Sequence, residues 1–138
     1  MRTLIVLAGV LTVAALLAPA PIAAPGPTVS AHHSRYGTIL FDGRGFVLYA
    51  FTHDVRGKSR CDGACAKAWP PYLVKGAAPK GRLLGTTRRA DGATQVTYAG
   101  RPLYYYVADR KPGQILCQNV SEFGGLWLVV RPDGSLVR

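Results

Sequence analysis

Cys61 and Cys65 stand four residues apart, and Cys117 is the third cysteine of this 138-residue chain. On a helical turn such a pair has Cα atoms about 6 Å apart, within reach of a disulfide, so the spacing favours a Cys61–Cys65 bond. Closing so short a loop contributes about 2 kcal/mol in the chain-entropy model, against about 4 kcal/mol for a bond from either cysteine to Cys117. The energy therefore leaves Cys117 either free or an alternative partner. A thioredoxin-like exchange site needs Cys-x-x-Cys on a βαβ unit, and covalent haem needs Cys-x-x-Cys-His; the sequence has neither. Zinc needs two ligands beyond the cysteine pair, with only Cys117, His32, His33 and His53 to choose from. No metal or cofactor is assigned. A chain beginning at His32 would chelate copper through its α-amino group and imidazole, with His33 or His53 as a further ligand, but a solvated basic arm is the plainer reading.

The carboxylates offer little catalytic chemistry. Asp42, Asp91 and Asp133 each precede a glycine in a turn sequence, and Asp62 is placed to cap a helix, which leaves Asp54, Asp109 and Glu122. Asp54 and Asp109 would form a glycosidase-like pair only if a twofold arrangement brought them together. Gly-x-Ser-x-Gly, His-Glu-x-x-His and phosphate-cradling glycine loops are missing, so no catalytic residue is assigned and the chain reads as non-enzymatic.

The elements that must hold these residues are mostly strands. Residues 38–41, 46–51, 94–98, 103–107 and 126–130 are rich in β-branched and aromatic side chains. Asp42-Gly43-Arg44-Gly45, Asp91-Gly92, Ala99-Gly100 and Asp133-Gly134 supply hairpin turns between them. Residues 61–69, alanine-rich and stopped by Pro70-Pro71, predict a short helix or turn carrying Cys-x-x-x-Cys. A repeat runs through the strands. Leu48-Tyr49-Ala50-Phe51-Thr52-His53-Asp54 and Leu103-Tyr104-Tyr105-Tyr106-Val107-Ala108-Asp109 share Leu-Tyr-x-aromatic-x-x-Asp at a separation of 55 residues. Alternation sets Tyr49 with Phe51, and Tyr104 with Tyr106, on one face of their strands, where cross-strand packing is the expected role. Tyr105 then faces the other way and is the candidate surface contact. The expected fold is mainly β, a small single domain of two related antiparallel β-hairpin units sharing one core.

An arginine, an apolar stretch over residues 3–18 and then small residues and prolines read as a secretory signal over residues 1–31. Val29-Ser30-Ala31 is a small-x-small site without a following proline, so cleavage is expected after Ala31, with Ala20 to Ala24 as alternatives. Residues 32–36 then form a flexible arm and residues 37–138 the β domain. No cysteine precedes Cys61, so no lipid-modified N-terminal cysteine is expected, and the protein belongs in the periplasm, at the cell surface or outside the cell. Its formal charge of +10, with Arg56-Gly57-Lys58-Ser59-Arg60 the densest cluster, suits anionic envelope polymers or acidic proteins. Export argues against nucleic acid as the partner.

Tyr49 to Asp54, Cys61 to Pro71, Gln95 to Tyr98 followed by Gly100 to Tyr106, and Trp127 to Gly134 together resemble the bacterial secreted-repeat proteins. These are known as predicted lipoproteins with a Tyr-x-(Phe/Trp/Tyr)-x-x-Asp motif. The resemblance covers nearly all of residues 37–134 and implies a secreted protein of unknown function, with Tyr49, Phe51, Asp54, Tyr104, Tyr106 and Asp109 as motif residues whose role is unknown. The chain departs from many members in lacking the lipidation cysteine and in carrying Cys117. A non-enzymatic binding or structural module fits best, with a redox- or metal-handling accessory protein as the alternative. The secreted chain is expected to begin at His32. Intact-mass measurement of the secreted protein reads this directly, and an earlier start would end the copper-chelation idea.

Overall fold

The computed structural model describes residues 18–138. The apolar core of the expected signal, residues 3–17, lies outside the described residues. Among those described, no helix is long and apolar enough to cross a membrane.

The chain forms eight strands and one short helix among the described residues: β1 (Val29–Ser34), β2 (Gly37–Asp42), β3 (Tyr49–Phe51), α1 (Ala64–Ala68), β4 (Leu84–Arg88), β5 (Thr94–Tyr98), β6 (Arg101–Pro102), β7 (Val120–Glu122) and β8 (Gly125–Val129). All ladders are antiparallel: β1 with β2, β8 between β3 and β7, and β5 between β4 and β6. The fold is thus mainly β, as the strand pattern predicts.

Its central strands are buried on both faces, which explains their continuous apolar runs. Ile39, Phe41, Tyr49, Phe51, Trp127 and Val129 enter one core cluster. Their sequence neighbours Leu40, Leu48, Ala50 and Val130 enter a second, on the opposite side. Period-two alternation therefore divides these segments between two cores.

Three expectations need correction. Residues 32–34 of the expected flexible arm, 32–36, instead lie in β1, whose pairing with β2 runs from Val29↔Asp42 to Ser34↔Gly37. Cutting after Ala31 would remove half of that register. His32 and His33 are adjacent in β1, so their side chains leave opposite faces. Residues 103–107 do not form a continuous strand; Tyr104 instead makes isolated bridges to Tyr49 and to Pro71. Nor does Asp62 cap α1. The N-cap is Gly63, whose φ is 55°, with no side-chain cap bond.

Strands β1, β4 and β7 were not legible beforehand. Each is polar or small along most of its length and pairs with a more apolar neighbour. The β7–β8 turn places Phe123 at φ 54° and Gly124 at φ 86°, the left-handed pair of a tight hairpin. Glycine adopts this readily; phenylalanine rarely does.

Asp62 serves a different contact. Its Oδ1 lies 3.2 Å from the Arg89 Nη2, and that guanidinium is buried at the start of the β4–β5 turn. Arg89 donates to the Cys61 carbonyl at 2.6 Å, the Gln95 amide oxygen at 2.7 Å and the Ser59 hydroxyl at 3.0 Å. Gln95, itself fully buried, donates to the Leu103 carbonyl at 2.7 Å. One cation thus ties the disulfide loop to the second hairpin. Arg89→Ala leaves the Cys61 carbonyl and the Gln95 amide oxygen without this donor in the interior and is expected to lower stability by about 1–3 kcal/mol for each acceptor left unpaired, read by urea denaturation. Arg89→Lys restores only part, because an ammonium cannot form the guanidinium fork.

Candidate functional site

The two motif copies meet across a local twofold. Tyr49 and Tyr104 exchange both main-chain hydrogen bonds, each amide donating to the other's carbonyl at 2.9 Å. Their side chains are exchanged as well. The Tyr49 hydroxyl donates to Asp109 Oδ2 at 2.7 Å, and the Tyr104 hydroxyl donates to Asp54 Oδ2 at 2.7 Å. Each motif tyrosine therefore satisfies the aspartate of the other repeat.

The second oxygen of each aspartate closes its own loop. Asp54 Oδ1 accepts the Arg60 amide at 2.7 Å, and Asp109 Oδ1 accepts the Leu116 amide at 2.9 Å. These anchors make Cys117 the counterpart of Cys61, since each follows the amide that its repeat's aspartate holds. Cys61 bonds Cys65, with Cα atoms 5.2 Å apart, and Cys117 is free and half-buried. Asp54 and Asp109 thus each accept a phenol of the other repeat and an amide of their own.

Burial pushes the Asp54 and Asp109 carboxyls above their ordinary range, only partly offset by the bonds that they accept. The Tyr49 and Tyr104 phenols are pushed far up, first by burial and further by the adjacent carboxylates. Neither tyrosine is a source of phenolate.

The symmetry extends to the tryptophans. Trp69 and Trp127 stack with ring centroids 4.0 Å apart and planes 4° from parallel. Tyr49 meets Trp69 edge-on at 5.2 Å, and Tyr104 meets Trp127 edge-on at 5.1 Å. Phe51 stacks on the outer face of Trp127 at 4.1 Å, and Tyr106 packs on Trp69 at 4.7 Å. The column thus runs Phe51, Trp127, Trp69, Tyr106. Trp69 Nε1 donates to Glu122 Oε2 at 2.8 Å, whereas the buried Trp127 Nε1 has no partner. Tyr106 is half-buried, and the neighbouring Cys117 thiol holds its phenol above the ordinary value.

Tyr105 faces away from this column. Its hydroxyl donates to Asp42 Oδ2 at 2.8 Å, and its ring meets Tyr72 at 5.3 Å. Asp42 also accepts the Arg44 and Phe46 amides at 2.9 and 3.0 Å and the Arg44 Nε at 2.9 Å. Burial alone would raise the Asp42 carboxyl, but these bonds together hold it below its ordinary value. Tyr105, Tyr72, Pro70, Pro71, Arg44 and Lys75 line a groove of about 510 Å³ that Pro25 to Thr28 also border. The Tyr72 hydroxyl donates to the Thr28 carbonyl at 2.9 Å. Tyr105 is therefore a half-buried wall of this groove.

The chain is thus a two-repeat β domain whose halves share a dyad of exchanged tyrosine–aspartate bonds. It belongs to the Lipoprotein_15 family, described as a secreted repeat of unknown function, which matches residues 30–72 and 85–131. No curated protein and no solved structure matches the chain. Among the described residues, no group of three or more His, Cys, Asp and Glu side chains is arranged to hold a metal ion.

Sequence reading passed over Asp42 and Arg44 as turn residues and missed Tyr72, Lys75 and the tryptophan partnership. The tryptophans carried a signal: each follows its motif tyrosine, by 20 and 23 residues. Tyr72 and Lys75 lie outside any repeated pattern, so only folding brings them beside Tyr105.

Asp42 and the motif aspartates have opposite pH signatures. Asp42 titrates below its ordinary 3.8, so its contribution is complete above 3.8 and lost as pH falls through the folded value. Asp54 and Asp109 titrate above 3.8, so stability from them declines as pH rises from 3.8 through their folded values. Asp42→Asn is expected to flatten the acid limb, and Asp54→Asn or Asp109→Asn to remove the decline above it. Urea midpoints measured across pH check both signs.

Proposed function

We propose that the protein is a non-enzymatic extracytoplasmic binding module, not lipid-anchored, that holds an anionic envelope polymer in the groove beside Tyr105. The observation that carries this reading is the groove's lining: the rings of Tyr72 and Tyr105 and the proline faces of Pro70 and Pro71 lie beside the cations Arg44 and Lys75. Aromatic and proline faces suit the apolar side of a sugar ring, while a guanidinium and an ammonium attract carboxylate or phosphate substituents. The Arg44 guanidinium lies 5.7 Å from the Tyr105 ring centroid and is paired with Asp42, which fixes it at the groove edge. Asp42 also lines the groove and is engaged by Tyr105, Arg44 and the Phe46 amide, so it and Arg44 largely compensate one another and Lys75 supplies the groove's net positive charge. The formal charge of +10 adds long-range attraction for a polyanion.

The test is a calorimetric titration with a uronate polymer and a phosphodiester-linked wall polymer, with a neutral glucan as control. Binding of a polyanion that weakens with salt, and falls about tenfold in Arg44→Ala/Lys75→Ala, supports the groove. Polyanion binding indifferent to both changes, or preference for an acidic protein over every polymer, overturns it.

A further inference from the structure

The groove uses none of the residues on the repeat dyad, where oxidisable rings and proton acceptors are gathered. We infer that the Trp69–Trp127 stack and the flanking Tyr49–Asp109 and Tyr104–Asp54 pairs form a one-electron redox site. In it a buried tyrosine is reversibly oxidised to a neutral tyrosyl radical.

The argument begins with contact. The indole planes lie 4.0 Å apart and 4° from parallel, so their π systems overlap directly. Each motif tyrosine meets one indole edge-on at 5.1 or 5.2 Å. An electron passes from tyrosine to tryptophan without crossing solvent or a saturated spacer.

The proton is provided for as well. A phenol that loses an electron becomes strongly acidic, and in an apolar interior it holds the resulting charge only if its proton can leave. Tyr49 directs that proton at Asp109 Oδ2 and Tyr104 at Asp54 Oδ2, each 2.7 Å away, and the Tyr104 hydroxyl also lies 2.7 Å from the Ser59 Oγ. Burial increases the appetite of both carboxylates for a proton. Packing the rings together would not by itself require a buried carboxylate opposite each phenol.

The step balances as follows. An external one-electron oxidant takes an electron from the tryptophan stack and is reduced by one electron. Tyr104 or Tyr49 refills the indole vacancy, and its phenolic proton moves to Asp54 or Asp109. The products are a tyrosyl radical and a neutral carboxylic acid. A one-electron reductant reverses the step, and the proton returns to the phenolate oxygen. Trp69 can lend its indole proton to Glu122 during transit, at 2.8 Å, whereas Trp127 has no acceptor and only relays the electron. The column also has a direction. Phe51, which resists oxidation, closes one end, while Tyr106, half-buried and 4.7 Å from Trp69, opens the other towards solvent.

The test uses the full chain with its disulfide intact and photogenerated tris(bipyridine)ruthenium(III) as oxidant, with freeze-trapping and electron paramagnetic resonance. The wild type is expected to give a neutral tyrosyl radical whose formation slows in D2O. Asp54→Asn/Asp109→Asn is expected to lose that radical and retain an indole signal. Tyr106→Phe is expected to slow radical formation without changing its identity. The inference is overturned by a wild-type protein that yields no tyrosyl radical. It is equally overturned by a signal that survives in folded Tyr49→Phe/Tyr104→Phe, which would assign it to Tyr36, Tyr72, Tyr98, Tyr105 or Tyr106. If the asparagine variants fail to fold, double resonance on the radical of the wild type and of Ser59→Ala decides: a strongly coupled exchangeable deuteron that persists in Ser59→Ala supports a carboxylic acid donor, and its absence there overturns the site.

Discussion

The exchange between Tyr49 and Tyr104 is the contact on which the two halves of this protein depend. Two main-chain bonds at 2.9 Å and two phenol–carboxylate bonds at 2.7 Å cross the same local twofold. Hydrogen bonds to charged groups contribute about 1.5–3 kcal/mol each, and a buried carboxylate deprived of its donor costs more than that. Each repeat supplies only a loop amide for its own aspartate, and the second carboxylate oxygen is satisfied by the tyrosine of the other repeat. The main chain reinforces this coupling. Tyr49 on β3 sits opposite Val129 on β8, in the second repeat, while Tyr104 bridges to Pro71 in the first. Folding of one half is therefore completed by the other.

The remaining carboxylates follow from that arrangement. Asp54 and Asp109 are spent on closing loops and receiving phenols, Asp42 on a turn and on Tyr105, and Asp62 on Arg89. What the dyad concentrates is aromatic surface, with a proton acceptor beside each phenol and beside one indole. The groove lies on the opposite side of the Tyr104–Tyr106 segment, because successive residues there face opposite ways: Tyr104 and Tyr106 pack towards the first core, Tyr105 towards the second.

The halves are related but not copies. Where the first repeat has α1 and the Cys61–Cys65 bond, the second has the β7–β8 hairpin and the free Cys117. Both routes deliver a tryptophan to the same stack. A five-residue helix stabilised by a disulfide and a hairpin with a left-handed turn are thus alternative ways of returning the chain to the dyad.

The sequence alone determined the β class, the turns at Asp91-Gly92 and Ala99-Gly100, the short cysteine-bearing helix and the repeated tyrosine and aspartate. These depend on local chemistry: β-branched and aromatic runs, glycines at left-handed positions and a five-residue spacing between tyrosine and acid. It misjudged residues 32–34 and overlooked β4 and β7, because these polar segments become strands only by pairing with a more apolar neighbour. It also expected each aspartate to serve its own strand end, which is half of what the structure does. Which tyrosine meets which aspartate was decided by tertiary structure, since a reciprocal exchange across a twofold leaves the same sequence pattern as two self-contained turns. So was the groove, whose Tyr72, Lys75 and Tyr105 come from separate stretches of chain and acquire a common surface only when both cores have closed.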